Sequence, residues 1–214
     1  MTSTMEEAPR VALGTEIERR ALAWIDPYSQ AWHLARARDW LVRLDGEASL
    51  EMRLAAATHD IERMIPNGPV FDKRNGRWDD PDYLYAHASR SALVVGVWIH
   101  DQGAAAGDLS VAEVRRLVTL HEFGGLGGAD LVQAADSLSF LETLQDVVRE
   151  WVEKGECGIA QARAKHQYMA DRIRIAEARR LAEPLLASAM GSLDDLEAIG
   201  SDCEGAARAG AGRT

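Results

Sequence analysis

The stretch LAAATHDIERM, residues 54–64, sets a histidine directly beside an aspartate in an otherwise alanine-rich, apolar-periodic run. Ala and Leu are strong helix formers. Ser49 supplies an N-cap, Glu51 an acidic first turn and Pro66 a stop, so the segment reads as a helix ending near residue 65. The same dipeptide recurs in VVGVWIHDQGA, residues 94–104. Both pairs fall in helical surroundings, and the reading of each decides whether this is a chemical site or a soluble helical scaffold.

Working outward, helical periodicity dominates. Ile17, Ala21, Leu22 and Ile25 recur at helical spacing after Thr15, an N-cap. In DPYSQAWHLARARDWLVRLDG, residues 26–46, Trp32, Ala35, Trp40, Leu41 and Leu44 form one apolar stripe that stops at Gly46. Residues 66–82, with three prolines and two glycines, read as a long loop of the kind that serves as a lid or binding loop. Pro81 opens a helix running to about Gly103, and a further helix starts near Asp108 or Ser110. After GGLGG, a long helix is expected from Ala129 to Lys154, then another from Ile159 to Ala187, bent near Pro184. Nothing alternates with period two for long enough to make a sheet. The expected fold is all-α: one helical domain over residues 14–188, with a Gly/Ala-rich flexible tail over 189–214.

Composition narrows the function. A net charge of −10 argues against binding a nucleic-acid backbone, which needs a basic surface. No apolar run approaches the length of a membrane span, and MTSTMEEAPR is acidic and lacks the apolar core of a signal peptide. Cys157 and Cys203 lie far apart with no CxxC partner, which fits a reducing compartment, so a cytoplasmic location is expected.

There are six histidines, and four of them fall on four successive expected helices, each in an apolar-periodic segment. One histidine on an apolar face is ordinary. Four on separate helices, one of them beside Asp60, suit the way helix bundles build metal sites from inward-facing side chains. The absence of thiolates argues against a structural Cys-rich zinc site. The ordered set His33, His59-Asp60, His87, His121 in LHEF and Asp136 in AADSLSF resembles the HD-domain superfamily of metal-dependent phosphohydrolases, in its two-metal branch, over about residues 25–150. The resemblance implies that His33, His59, Asp60 and Asp136 hold one divalent ion and that Asp60, His87 and His121 hold a second, with Fe, Mn, Co, Ni or Zn all compatible. The last ligand is Asp136 or Asp130; ADSLSF lies deeper in its helix and closer to the family pattern, which favours Asp136. His100-Asp101, at a helix end running into QGAAAGD, reads as a surface pair.

The resemblance implies a phosphohydrolase acting on a small phosphorylated metabolite or nucleotide, with Asp60 and Arg63 in catalytic roles. Arg63 takes the place of a lysine common in HDxxK, and Arg90 lies one turn from His87. With Lys165, which shares a helical face with Met169 and Arg172, these are the expected contacts to a small anionic substrate. Lys73, Arg74 and Arg77 cluster in the loop. Glu122 is an expected partner orienting His121, and Glu62 a candidate base. A mixed-valent di-iron oxygenase shares the same ligand order and is the alternative, with Asp26 as an additional candidate ligand. A non-catalytic helical binding protein is the third reading. No nucleic-acid or membrane partner is expected, and a homo-oligomer is compatible with the sequence.

Overall fold

A computed structural model describes residue 12 and residues 14–211, with side chains through residue 199. Among the described residues all regular structure is helical, and no helix is long and apolar enough to cross a membrane.

The helices are α1 (Glu16–Ile25), α2 (Ala31–Leu44), α3 (Leu50–Thr58), α4 (Pro81–Asp101), α5 (Val111–Leu120), α6 (Ala129–Thr143), α7 (Gln145–Glu153), α8 (Ile159–Asp171) and α9 (Ala176–Ala211), with 3₁₀ turns at Ile61–Met64 and Gly103–Ala106. Their starts follow local chemistry. Thr15 and Glu18 form a reciprocal capping box on α1, Ser49 caps α3, Asp80 caps α4 with Pro81 in its first turn, and Ser110 caps α5.

α6 is the axis of the domain. Ala129 and every residue from Val132 to Leu141 are buried, because α2, α3, α8 and α9 pack around it. A helix without a polar face can only be satisfied in this way, and its small residues, Ala134, Ala135, Ser137 and Ser139, let the neighbours approach. The entry to α6 needs glycine. Gly124 (φ +68°) and Gly128 (φ +82°) adopt left-handed backbone, and a Cβ on Gly124 would meet Asp130 Oδ1 at 2.4 Å.

The structure corrects four expectations of local structure. The helix expected to run past His59 stops at Thr58; Asp60 (φ −102°, ψ 7°) lies between it and the 3₁₀ turn. The single helix expected over 129–154 is two, broken at the buried Leu144 (φ −108°, ψ 14°), so that Val148 turns back into the core. The single helix expected over 159–187 is also two, broken at residues 172–175, and Pro184 sits inside α9. α9 also continues through the stretch read as a tail, with Ala189 and Leu193 buried in the domain and helical backbone to Ala211.

Two stability outcomes follow. Leu138, fully buried on α6, should cost about 3 kcal/mol as Leu138→Ala, against less than about 0.5 kcal/mol for Leu126→Ala on a residue 90% exposed, read from urea unfolding. His166 is buried on α8 with both ring nitrogens unpartnered, and burial, with Lys165 adding to it, pulls its pKa from 6.5 to about 4. Because the folded value is depressed, the neutral ring's contribution is complete above about pH 6.5 and is lost as pH falls towards 4. The wild type should lose up to about 1.4 kcal/mol per pH unit from this residue in that window. His166→Leu should show a shallower decline in denaturant midpoint between the same limits.

Candidate metal centre

His33 stands in the first turn of α2, His59 is the C-cap of α3 and Asp60 follows it. His87 is in the second turn of α4, His121 is the C-cap of α5 and Asp136 is in the middle of α6. Five successive helices and their ends thus each deliver one or two groups to one place. Asp136 Oδ1 lies 3.2 Å from both His33 Nε2 and His59 Nε2. Asp60 Oδ1 lies 2.7 Å from His87 Nε2 and 3.9 Å from His121 Nε2. The rings of His59 and His121 are 4.8 Å apart and link the two halves. Three ligand-capable groups result: His33, His59 and Asp136; His59, Asp60 and His121; His87, His121 and Glu122.

The second ring nitrogen fixes each tautomer. His59 Nδ1 lies 2.9 Å from the Ala56 carbonyl, and His121 Nδ1 lies 2.6 Å from the Val118 carbonyl. A carbonyl only accepts, so both Nδ1 atoms carry hydrogen and donate. Each histidine thereby bonds a carbonyl three residues back in the last turn of its helix; the Val118 carbonyl also accepts the His121 backbone N–H at 3.4 Å. Ser139 Oγ donates to the His33 carbonyl at 2.7 Å and so accepts from His33 Nδ1 at 2.9 Å. His87 Nδ1 donates to Glu62 Oε1 at 2.7 Å. All four Nε2 atoms are left facing the carboxylates.

This arrangement fits divalent ions. With hydrogen on Nδ1, a neutral imidazole presents an Nε2 lone pair to a carboxylate oxygen, and such a contact is repulsive unless a proton or a cation lies in it. Among the described residues, His59 Nε2 and His121 Nε2 are buried with no hydrogen-bond partner. Imidazole nitrogens oriented by outer carbonyl, hydroxyl and carboxylate groups are the usual build of a protein metal site. Burial pulls the His59 imidazole down, but Asp136 and Asp60 pull it further up, to about 9. Burial raises the Asp136 and Asp60 carboxyls, yet Arg172 with His59, and Arg63 with His87, hold them well below the ordinary carboxylate range.

Two arginines hold the outer faces. Arg63 Nε is 2.8 Å from Asp60 Oδ2, and its Nη1 donates to Tyr83 Oη at 3.0 Å. Arg172, just after α8, bridges Asp136 Oδ2 and Glu122 Oε2 and donates from Nε to Ser137 Oγ at 2.8 Å. The sequence placed Arg172 on a face with Lys165 but gave it no role. Ser139 was missed; its signal was a polar residue one turn from Asp136 on the buried stretch of that helix.

Other expected site residues are elsewhere. Arg90 does not line the cavity. It donates to the Asn67 and Pro66 carbonyls at 2.8 and 2.6 Å, tying the chain after the 3₁₀ turn to α4. Asp130 accepts from Gly125 N and Arg174, both at 2.8 Å, at the turn into α6. Asp26 is the exposed C-cap of α1, and the side chains of His100 and Asp101 are 88% and 69% exposed. Glu62 faces the outer nitrogen of His87, which makes it an orienting group.

The centre opens into a cavity of about 190 Å³. Its walls include Arg63, Lys73, Lys165, Leu84, Phe140 and Met169, and residues 71–78 cover one side. That loop is pinned by Trp78 Nε1 to the Gln161 carbonyl at 3.0 Å and by Gln161 Nε2 to the Gly76 carbonyl at 2.9 Å. Lys73 pairs with Glu156, Arg74 bonds the Gly155 carbonyl, and Arg77 pairs with Asp79 at the surface.

No protein-family model, curated protein or solved structure matches this chain.

Arg172→Gln should weaken metal affinity about 10- to 100-fold, the usual effect of losing an outer orienting partner, while His100→Ala leaves it unchanged. Competition with a chromophoric chelator reads both, and equal affinity in wild type and Arg172→Gln would sink the orienting role.

Proposed function

We propose that this protein is a metal-dependent phosphohydrolase of the HD type, acting on a small phosphorylated metabolite through a dinuclear centre. The observation that carries the reading is the convergence of four Nδ1-committed histidines and two carboxylates, in the ordered pattern His33, His59-Asp60, His87, His121, Asp136, on the floor of a cavity with cationic walls. Divalent ions in such a site supply Lewis acidity towards a phosphoryl oxygen and activate water for in-line displacement.

The chain's own residues divide the work. His33, His59 and Asp136 would hold one ion, His87 and His121 the other, and Asp60, in contact range of both sets, would be shared. Glu122 lies 3.6 Å from His121 Nε2, within reach of the second ion. Arg63 fixes the Asp60 carboxylate through its outer oxygen and lines the cavity, where its remaining N–H groups can meet a phosphoryl oxygen. Phe71 packs against Trp78 and Tyr83 and gives the cavity an aromatic wall. A cytoplasmic location belongs to the same proposal.

Chelator-stripped protein reloaded with manganese, cobalt or nickel should release inorganic phosphate from members of a phosphomonoester panel. His59→Ala and Asp60→Ala should lose bound metal and at least about 100-fold in rate, with His100→Ala and Asp101→Ala near wild type. Iron-dependent oxygen consumption with no phosphate from any panel member would replace this reading with the oxygenase.

A further inference from the structure

The cavity's charge inventory and size bear on its ligand. Arg63, Lys73 and Lys165 are the cationic residues on its walls; Arg63 is held by Asp60 and Lys73 by Glu156. Among the described residues, Lys165 has no carboxylate at ion-pair distance. Its ammonium instead lies 4.9 Å from the Phe140 ring, 5.2 Å from Trp78 and 5.3 Å from Tyr168. Aromatic faces attract a cation but do not neutralise it, and a desolvated ammonium without an anion is costly. Burial pulls Lys165 down to about 8, with the more distant Glu122 and Asp136 carboxylates opposing it and Arg172 and Arg63 adding to it. Phe140 touches both Lys165 and His33, at 4.9 and 6.4 Å, so the ammonium and the metal centre face the same small space.

That space also limits the ligand's body. A dry cavity of roughly 150 Å³ holds benzene, so one of about 190 Å³ admits a ring or short chain bearing one phosphoryl group. A base and a sugar carried on the same phosphate would extend beyond this space. Phe71, Leu84, Phe140, Leu144 and Met169 give the cavity an apolar face beside its charged end, and the Tyr83 hydroxyl on the same lining already accepts from Arg63 at 3.0 Å. Gln30, a neutral amide on the lining, already accepts from Tyr28 Oη at 3.2 Å.

We propose that Lys165 is the anion-binding residue of this cavity, and that the ligand class is a compact phosphomonoester or phosphonate with an apolar body rather than a nucleotide. The proposal rests on reading the cavity as the substrate site, but its test needs no turnover. Purified protein is titrated calorimetrically with phenylphosphonate and with adenosine monophosphate. Phenylphosphonate should bind at least about tenfold more tightly than adenosine monophosphate. Lys165→Met should weaken phenylphosphonate by at least about tenfold, the scale of one charge-assisted hydrogen bond, while Lys165→Arg stays within a few-fold of wild type. Binding in this order without phosphate release from any monoester would overturn the hydrolase and still support the ligand class. Equal or tighter binding of adenosine monophosphate, unchanged binding by folded Lys165→Met, or no phenylphosphonate binding by wild type would overturn the ligand class itself.

Discussion

Asp136 is a carboxylate in the middle of a helix that is itself buried, and a lone buried charge there would be prohibitive. Its pairing accounts for much of the surrounding architecture. One oxygen meets His33 from α2 and His59 from the end of α3; the other meets Arg172 from the chain after α8. Three elements distant in sequence must dock on α6 in one register for this charge to be satisfied. Arg172 reaches the carboxylate from the helical C-cap of α8, at the point where that helix ends.

Asp60 repeats the scheme with other parts. His87 meets its inner oxygen and Arg63 its outer one. His59 and His121 are also built alike, each closing its helix by donating Nδ1–H to a carbonyl three residues back. A helix end is a good place for such a group, because a carbonyl of the last turn orients the ring without any long-range partner. Function and local structure therefore use the same bond: the hydrogen bond that finishes the helix also aims Nε2 at the carboxylates.

This explains what was legible in the sequence. Residue type and periodicity singled out histidines on successive apolar helices, one of them beside Asp60; the resemblance supplied the ordered set with Asp136, and the fold brings these six side chains together. All-α architecture was legible for the same reason. Helix limits at Thr58, Leu144 and Asp171 were not, because docking onto α6, and not a Gly or Pro, ends those helices. Arg90 misled because one-turn spacing from His87 fixes a face only approximately, and the loop carbonyls at 66–67 captured it. α9 was underestimated because its Gly/Ala-rich composition looks featureless until Ala189 and Leu193 have a surface to pack on.

The inward contacts impose a final condition on the fold. His33, His59 and His87 each set Nε2 within 3.2 Å of a carboxylate oxygen, with Nδ1 already donating elsewhere. Such pairs persist only with a proton or a metal ion between them, so folding and cation binding are linked. A cation bound at a hundred times its Kd adds about 2.7 kcal/mol to the native state, a sizeable fraction of a domain's stability. Arg63 and Arg172 moderate that dependence by neutralising the outer oxygens permanently. They allow the two carboxylates to be buried without a bound ion, and they leave the inner oxygens facing the histidines.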